Sequence, residues 1–190
     1  MANNEFLLLR HAKTKISNKI PSSKWTLSKE GFKEAEELTL VKEFKDFDII
    51  ISSCEKKAYL TVKPLALRNS KSVTQICDFN ELFRDSGVFL SSVEEYNLTV
   101  KRCMHESDKS FNNWEKGAQA LSRFSKKINE LDKMYESKKI LIASHGIVLN
   151  LYFAKILNQL DNAYERWKST TFCDFGSIRT GIVIKDIAKL

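Results

Sequence analysis

The stretch EFLLLRHAKT, residues 5–14, places a cation and an imidazole directly after an apolar run. The run from Phe6 to Leu9 predicts a strand buried on both faces, and Arg10 and His11 follow at once. The stretch KKILIASHGIVLNLY, residues 138–152, repeats the pattern and ends its apolar run at His145. The chain has only 3 histidines, so most of them stand at the end of a predicted strand.

Strands and helices are predicted to alternate on both sides of these two stretches. Strands are predicted over residues 5–10, 48–52, 72–77 and 139–143, with one or two more within 171–186. Helices are predicted over residues 28–45, capped by Ser28, 55–67, disturbed at Pro64, 92–105, 115–136 and 147–158. Unalternated apolar strands interleaved with helices indicate a mostly parallel sheet. We therefore expect a three-layer α/β/α fold with a mostly parallel central sheet, in which one edge strand can run antiparallel.

Size and composition fit one folded domain over residues 1–190, because 43% of the residues are hydrophobic and no linker divides the chain. The segment around 82–117 is the least regular part and is predicted to be a lid-like insertion. The net charge of +7 suits an anionic partner, such as a phosphorylated metabolite, a phosphoprotein or a nucleic acid. A lysine-rich solvated surface explains the same surplus, since the lysines are dispersed.

The 4 cysteines are widely spaced without any CxxC pair, which predicts neither a zinc site nor a disulfide framework. The N-terminal residues lack the pattern of a signal peptide, and no apolar run is long enough for a membrane helix. We therefore expect a soluble cytoplasmic protein with reduced thiols and no membrane partner.

Polar side chains follow several predicted strands at the edge where an open α/β sheet binds ligands. Arg10 and His11 follow the first strand, Ser52 and Ser53 the second, and His145 the strand at 139–143. One histidine at a strand end is commonly a hydrogen-bonded structural residue. Two of them in equivalent positions, one preceded by arginine, predict a functional site.

With these residues in place, the sequence resembles the histidine phosphatase superfamily, also called the phosphoglycerate mutase-like family. The resemblance rests on five segments in order: RHAKT at 10–14, LSKEG at 27–31, SSCEKKAYLT at 52–61, NE at 80–81 and SHG at 144–146. The sequence departs from the family pattern at several positions. Ala12 replaces a glycine, Ser17 an asparagine and Lys57 the second phosphate-binding arginine, and RDSGVF at 84–89 replaces a Gly-x-Trp-x-Gly-like segment.

The chemistry of phosphoryl transfer gives these residues roles, and the resemblance implies the same ones. A neutral His11 would be the nucleophile, and Arg10 would bind two phosphate oxygens through its planar fork. A protonated His145 would stabilise charge on the equatorial oxygens. Gly146 would allow close approach, and the helix after it would point free N–H groups at the anion.

The remaining candidate site residues are a lysine, two hydroxyl residues and a carboxylic acid. Lys57 is expected to bind phosphate as a point charge, unless Lys13, Arg84 or another cation takes over. Thr14 and Ser17 can donate hydroxyl groups to the phosphate or the substrate. Glu81 is the candidate general acid and base, and Glu55 and Asp78 compete with it. The scheme needs no metal ion and no cofactor.

The leading hypothesis is a metal-independent phosphomonoesterase that acts through a phosphohistidine on His11. The alternatives are a phosphoglycerate mutase-type phosphoryl transfer and a weakly active phosphate-binding regulatory module, which the substitution at Lys57 favours. The expected partner is a phosphorylated small molecule or a phosphoprotein. A nucleic acid is not expected, since no basic helix with interleaved aromatic residues occurs. The sequence predicts neither the substrate nor the oligomeric state.

Overall fold

A computed structural model of the protein describes residues 3–190. Its centre is a six-stranded sheet in the order β3-β2-β4-β1-β5-β6. The strands are β1 (Glu5–Arg10), β2 (Ile49–Ser52), β3 (Val73–Gln75), β4 (Lys139–Ser144), β5 (Phe175–Arg179) and β6 (Ile182–Lys185). The first four are mutually parallel. The predicted α/β fold with a mostly parallel sheet is therefore confirmed.

Six helices connect and cover these strands. They are α1 (Lys29–Glu37), α2 (Lys56–Arg68), α3 (Val93–His105), α4 (Gly117–Met134), α5 (Gly146–Ile156) and α6 (Ala163–Ser169). Ser28 caps α1 as predicted, because its side chain accepts a hydrogen bond from the Gly31 N–H. Pro64 lies inside α2 without ending it.

Alternating side chains of the strands bury the two faces of the sheet under different helices. In β1, Leu7 and Leu9 pack with residues of α2, whereas Phe6 and Leu8 pack into the larger core formed with α3 to α6. Helix α5 is the most buried of all, since every residue from Gly146 to Ala154 is shielded from solvent. The molecule thus has helices on both faces of the sheet.

The expectation that an edge strand can run antiparallel agrees with β6, which is antiparallel to its neighbour β5. The reversed strand is β5, which is antiparallel to β1 on one side and to β6 on the other. The edge strand β6 therefore runs in the same direction as β1. Helix α6 and the residues after it bring the chain to the carboxyl end of β1. Strand β5 starts there, with Phe175 opposite Leu9, and therefore runs in the opposite direction to β1.

The sheet register brings the two histidine-bearing strand ends together. Strands β1 and β4 are neighbours, with Arg10 opposite Ser144, so His11 and His145 each follow by one residue. On the other side of β4, Ser52 pairs with Ala143. The carboxyl ends of three adjacent strands therefore meet at one edge of the sheet.

The expectation that all thiols are reduced is wrong for two of the cysteines. Cys54 and Cys77 form a disulfide, whereas Cys103 and Cys173 are free. The two bonded cysteines are 23 positions apart in the sequence, and their spacing carries no known disulfide pattern. They meet because each follows the end of one of the paired strands β2 and β3.

Within residues 3–190, no helix is both long enough and apolar enough to cross a membrane.

Candidate active site

A cavity of about 280 Å³ opens at the strand ends that carry the two histidines. Its lining includes most of the polar residues predicted from the sequence. These are Arg10, His11, Thr14, Lys57, Glu81 and Gly146, joined by Arg84. The structure thus gathers residues from four segments of the chain around one hollow that is rich in positive charge.

His11 is held in one orientation by the residue that follows it. Its Nδ1 lies 2.8 Å from the carbonyl oxygen of Ala12. A carbonyl can only accept a hydrogen bond, so Nδ1 carries the proton and Nε2 keeps a free lone pair. The Ala12 peptide is itself fixed, because its N–H donates to Oγ1 of Thr61 at 2.9 Å. Thr61 on α2 therefore helps to orient His11 through the Ala12 peptide.

The environment of His11 keeps the ring uncharged. Burial out of water is the main cause, and the neighbouring His145 and Lys57 add to it; together they hold the pKa of His11 well below its ordinary value. A neutral imidazole with a free Nε2 lone pair has the protonation state of a nucleophile.

Arg10 is anchored on one side and free on the other. Its Nη1 donates to the carbonyl oxygen of Thr170 at 2.9 Å and to the hydroxyl of the same residue at 3.1 Å. Its guanidinium lies 4.9 Å from the ring centre of Phe172, within cation–π distance. Its Nε is buried without a hydrogen-bond partner in residues 3–190. A buried charged donor of this kind suits an anion that is bound during turnover.

Gly146 allows this position of Arg10. A Cβ atom at Gly146 would lie 3.0 Å from Cζ of Arg10 and 3.1 Å from Nε1 of Trp167. Both contacts are tighter than ordinary van der Waals packing, so a side chain here would displace the guanidinium. The group that approaches Gly146 closely is therefore the Arg10 side chain, which lines the cavity.

His145 lies behind His11, with the two ring centres 5.1 Å apart. Its Nε2 is 2.8 Å from the hydroxyl of Ser53, and that hydroxyl also accepts a hydrogen bond from the Glu55 N–H. Ser53 therefore has its proton free to donate to Nε2, which leaves Nδ1 as the N–H of a neutral ring. That Nδ1 is buried without a partner in the described chain.

The surroundings of His145 oppose the positive charge that was expected on its ring. Burial is again the main cause, followed by repulsion from Lys57 and Arg84, and the pKa of His145 is held well below its ordinary value. In this form His145 offers one N–H donor instead of a full charge. A phosphate dianion in the cavity would oppose these effects by attraction.

Lys57 is almost fully buried, with 1% of its surface exposed. Its ammonium group donates to the Ser22 carbonyl oxygen at 2.9 Å and forms an ion pair with Glu55. Burial lowers the pKa of Lys57, and attraction to Glu55 opposes that effect. Lys57 therefore lies where the resemblance implies an arginine, but the ion pair with Glu55 already offsets part of its positive charge.

Arg84 brings a guanidinium to the same cavity from the loop after Glu81. Its Nη1 donates to the Tyr96 hydroxyl at 2.7 Å, and its guanidinium lies 5.2 Å from the ring centre of Trp114. Its Nε is buried without a partner in residues 3–190. Of the two substitutes considered for the missing arginine, Arg84 lines the cavity, whereas Lys13 lies on the exposed surface.

Glu81 lines the cavity and also caps the N-terminal end of helix α5. Its two carboxylate oxygens accept hydrogen bonds from the backbone N–H groups of Ile147 and Val148, both at 3.0 Å, and from its neighbour Leu82 at 3.1 Å. The expectation that this helix start points free N–H groups at a bound anion is therefore wrong. The carboxyl oxygens of Glu81 satisfy them instead.

The two competing acids lie in different places. Glu55 is buried behind Glu81, where one oxygen accepts the Glu81 N–H at 2.9 Å and lies 3.6 Å from Nε2 of His145. Asp78 is partly exposed and lies 4.0 Å from Lys127. Glu81 is the one of the three that borders the cavity beside His11.

The two predicted hydroxyl donors are separated by the fold. Thr14 lines the cavity, and its backbone forms an isolated bridge with Leu27. Ser17 lies farther along the loop, where its hydroxyl accepts the Lys19 N–H and its carbonyl accepts the indole N–H of Trp25. Its contacts within the described chain therefore stabilise the loop.

Aromatic residues form the upper wall of the cavity, and sequence analysis missed several of them. Trp167 and Phe172 come from α6 and the turn before β5, a region for which no helix was predicted. Of the five aromatic residues singled out in the 82–117 segment, Phe89 and Tyr96 line this cavity. Trp114 and Phe111 pack into the core, and Phe83 is 55% exposed.

Comparisons with known proteins agree with the fold and the motifs. A family model described as the histidine phosphatase superfamily (branch 1) matches residues 6–179. No curated protein sequence matches the chain.

Several solved structures share its fold at low sequence identity. A phosphoserine phosphatase mutant from Entamoeba histolytica, in complex with phosphoserine, superposes with a TM-score of 0.76 at 20% identity over 96% of this chain and 95% of its own. A structure of a putative alpha-ribazole-5'-P phosphatase from Escherichia coli gives a TM-score of 0.73 at 18% identity, over 99% and 97% of the two chains. The mycobacterial glucosyl-3-phosphoglycerate phosphatase gives 0.77 at 15% identity, over 93% and 90%.

Proposed function

Because the chain belongs to the histidine phosphatase superfamily, we propose that it is a metal-independent phosphomonoesterase that acts through a phosphohistidine on His11. The observation that carries the proposal is the state of His11. Its Nδ1 donates to the Ala12 carbonyl oxygen, so Nε2 is free at a cavity lined by Arg10, Lys57 and Arg84. Three of the solved structures that share its fold are described as phosphatases, which favours hydrolysis over a mutase reaction.

In the first step, Nε2 of His11 attacks phosphorus, and the bond from phosphorus to the ester oxygen breaks. The cations around the cavity stabilise the charge on the three equatorial oxygens. The departing oxygen takes a proton from the Glu81 carboxyl group and leaves as an alcohol.

In the second step, a water molecule attacks the phosphorus of phosphohistidine and gives a proton to Glu81, which restores the acid. The bond between phosphorus and Nε2 breaks, and inorganic phosphate leaves. The N–H of His145 is one further donor for the transferred oxygens. Net consumption is one ester and one water, and net production is one alcohol and one phosphate.

Phosphate release from a panel of phosphomonoesters, run beside His11→Ala, tests the proposal. Removal of a covalent nucleophile should cost at least about a thousandfold in kcat. His105→Ala is the matched control, because His105 is the remaining histidine and lies exposed on α3. Brief reaction with a ³²P-labelled ester, followed by an alkaline quench, should leave label on the wild-type chain and on His105→Ala.

Three results would reject parts of this scheme. An unchanged rate in His11→Ala removes the nucleophile. Phosphate binding with neither turnover nor label supports the regulatory module, which the buried ion pair of Lys57 with Glu55 favours. Isomerisation that depends on a bisphosphate cofactor supports the mutase.

A further inference from the structure

We propose that the preferred substrates are small phosphate monoesters of apolar, ring-bearing alcohols, and that sugar phosphates and phosphoproteins are poor substrates. This inference rests on the proposed phosphatase function and specifies the substrate class of the same cavity. It comes from the contrast between the base of the cavity and its walls.

The walls above the cationic base are apolar and largely aromatic. They are formed by Trp25, Phe89, Leu90, Tyr96, Trp167 and Phe172. The aromatic side chains come from three separate parts of the chain and face a common space. Apolar surface of this kind gains free energy when it contacts an apolar ligand, and flat rings gain further from edge or face contacts.

The hydroxyl groups of Tyr96 and Ser92 on these walls are already engaged within the protein. The Tyr96 hydroxyl accepts a hydrogen bond from Arg84 at 2.7 Å. The Ser92 hydroxyl donates to the Glu94 carboxylate at 2.7 Å and accepts the Glu95 N–H at the start of α3. A sugar would bring several hydroxyl groups into this space beside these engaged groups, and each hydroxyl group that gains no partner costs free energy.

Charge on the cavity lining also argues against a cationic alcohol such as an amino alcohol. Glu81 is the carboxylate on that lining, and both its oxygens accept backbone hydrogen bonds. The cations Arg10, Lys57 and Arg84 attract the phosphate and repel an ammonium group. An uncharged alcohol therefore fits the lining better than a charged one.

Two of the loops that line the cavity contact each other. Trp25 and Phe89 meet edge to face with ring centres 6.5 Å apart. Behind them, the N–H of Ser23 donates to Asp85 at 3.2 Å, and the Ser23 hydroxyl donates to the same carboxylate. The indole N–H of Trp25 is fixed on the Ser17 carbonyl at 3.0 Å. A free small molecule can occupy a cavity of about 280 Å³, whereas a folded phosphoprotein would need these loops to separate.

The test compares esters whose leaving groups are all primary alcohols, so that chemical reactivity is nearly constant across the panel. Benzyl phosphate and 2-naphthylmethyl phosphate represent the ring-bearing class. Glycerol 1-phosphate, glucose 6-phosphate, phosphoserine and a phosphoseryl peptide represent the polar ones. We expect kcat/KM for the naphthylmethyl ester to exceed that for glucose 6-phosphate by at least about 100-fold, as burial of a ring predicts.

Variants of the wall connect this preference to the structure. Trp25→Ala should lower kcat/KM for the naphthylmethyl ester by about 10-fold or more and change that for glycerol 1-phosphate by less than about twofold. Phe83→Ala is the matched control. Phe83 lies on the same loop as Phe89 but borders a different, smaller cavity, so both rates should stay unchanged.

The outcomes separate this inference from the function beneath it. Turnover of glucose 6-phosphate, phosphoserine or the peptide as fast as the ring-bearing esters, with His11→Ala inactive, overturns the substrate class and leaves the phosphatase intact. An equal loss of all substrates in Trp25→Ala also overturns it. No turnover of any ester, and no label on His11, overturns both.

Discussion

The disulfide between Cys54 and Cys77 gives a stability prediction that can be calculated. The bond closes a segment with a sequence separation of 23 residues, which contains α2 and β3. Restriction of an unfolded chain by a loop of this length is worth about 3.4 kcal/mol at 25 °C in the chain-entropy treatment. For a protein of this size, that corresponds to about 7–14 °C in Tm.

Cys54→Ser combined with Cys77→Ser isolates this term. Both cysteines are exposed, so serine leaves no cavity and buries no unpaired hydroxyl. The loops they join keep other links, because the Cys54 N–H donates to the Asn80 side chain at 2.8 Å and the Glu81 N–H donates to Glu55 at 2.9 Å. The double variant should therefore fold and differ from the wild type mainly in the freedom of its unfolded chain.

Thermal unfolding followed by circular dichroism provides the measurement. Oxidised wild-type protein should melt well above the double variant, and a dithiol reductant should lower the Tm of the wild type but leave the variant unchanged. Cys173→Ser, which removes a free thiol, should keep the response to the reductant. The reasoning fails if the oxidised wild type and the double variant melt within about 2 °C of each other, far less than the loop term requires.

Two further predictions concern the charged groups of the cavity. The pKa values of His11 and His145 are lower in the folded protein than in the unfolded chain, so the unfolded chain binds more protons below about pH 6.5. Urea unfolding at pH 6.5 and 5.5 should show stability decreasing with acidification by up to about 1.4 kcal/mol per pH unit for each histidine, with a shallower slope in His145→Asn; stability that rises on acidification contradicts this. Arg84→Met keeps an apolar stem between Tyr96 and Trp114 and should lower kcat/KM about 100-fold, whereas exposed Lys56→Met should not. An unaffected Arg84 variant would mean that Lys57 supplies the second cation alone.

Much of the fold could be predicted because its signals are local. The apolar runs before His11 and His145 identify β1 and β4, and the Ser28 cap identifies the start of α1. Helix α6 was missed because it is only 7 residues long and lies between other polar segments. The reversal of β5 depends on pairing with β1, which is more than 160 residues away and leaves no mark in the local pattern.

The site was predictable to a similar degree, and for related reasons. The predicted strand ends and the motif order are enough to place Arg10, His11 and His145 close together, and no information on side-chain packing is needed. The hydrogen bonds of Glu81 with the start of α5 were not predictable. A glutamate after a strand has the same sequence pattern whether its carboxyl group contacts a bound phosphate or the first turn of a helix. The aromatic wall needs Trp167 and Phe172 to return to the first strand end, which only the tertiary structure specifies.

The attachment of Glu81 to α5 has a mechanical consequence. The same carboxylate borders the reaction space and holds the first amides of a helix that runs through the interior and contacts α4 and α6. When Glu81 takes up or releases a proton, the hydrogen bonds that its carboxyl group accepts from the first turn of α5 become weaker or stronger. Amide exchange at Ile147 and Val148 should therefore respond to the protonation of Glu81, and a substitution that moves α5 should also move the Glu81 carboxyl group.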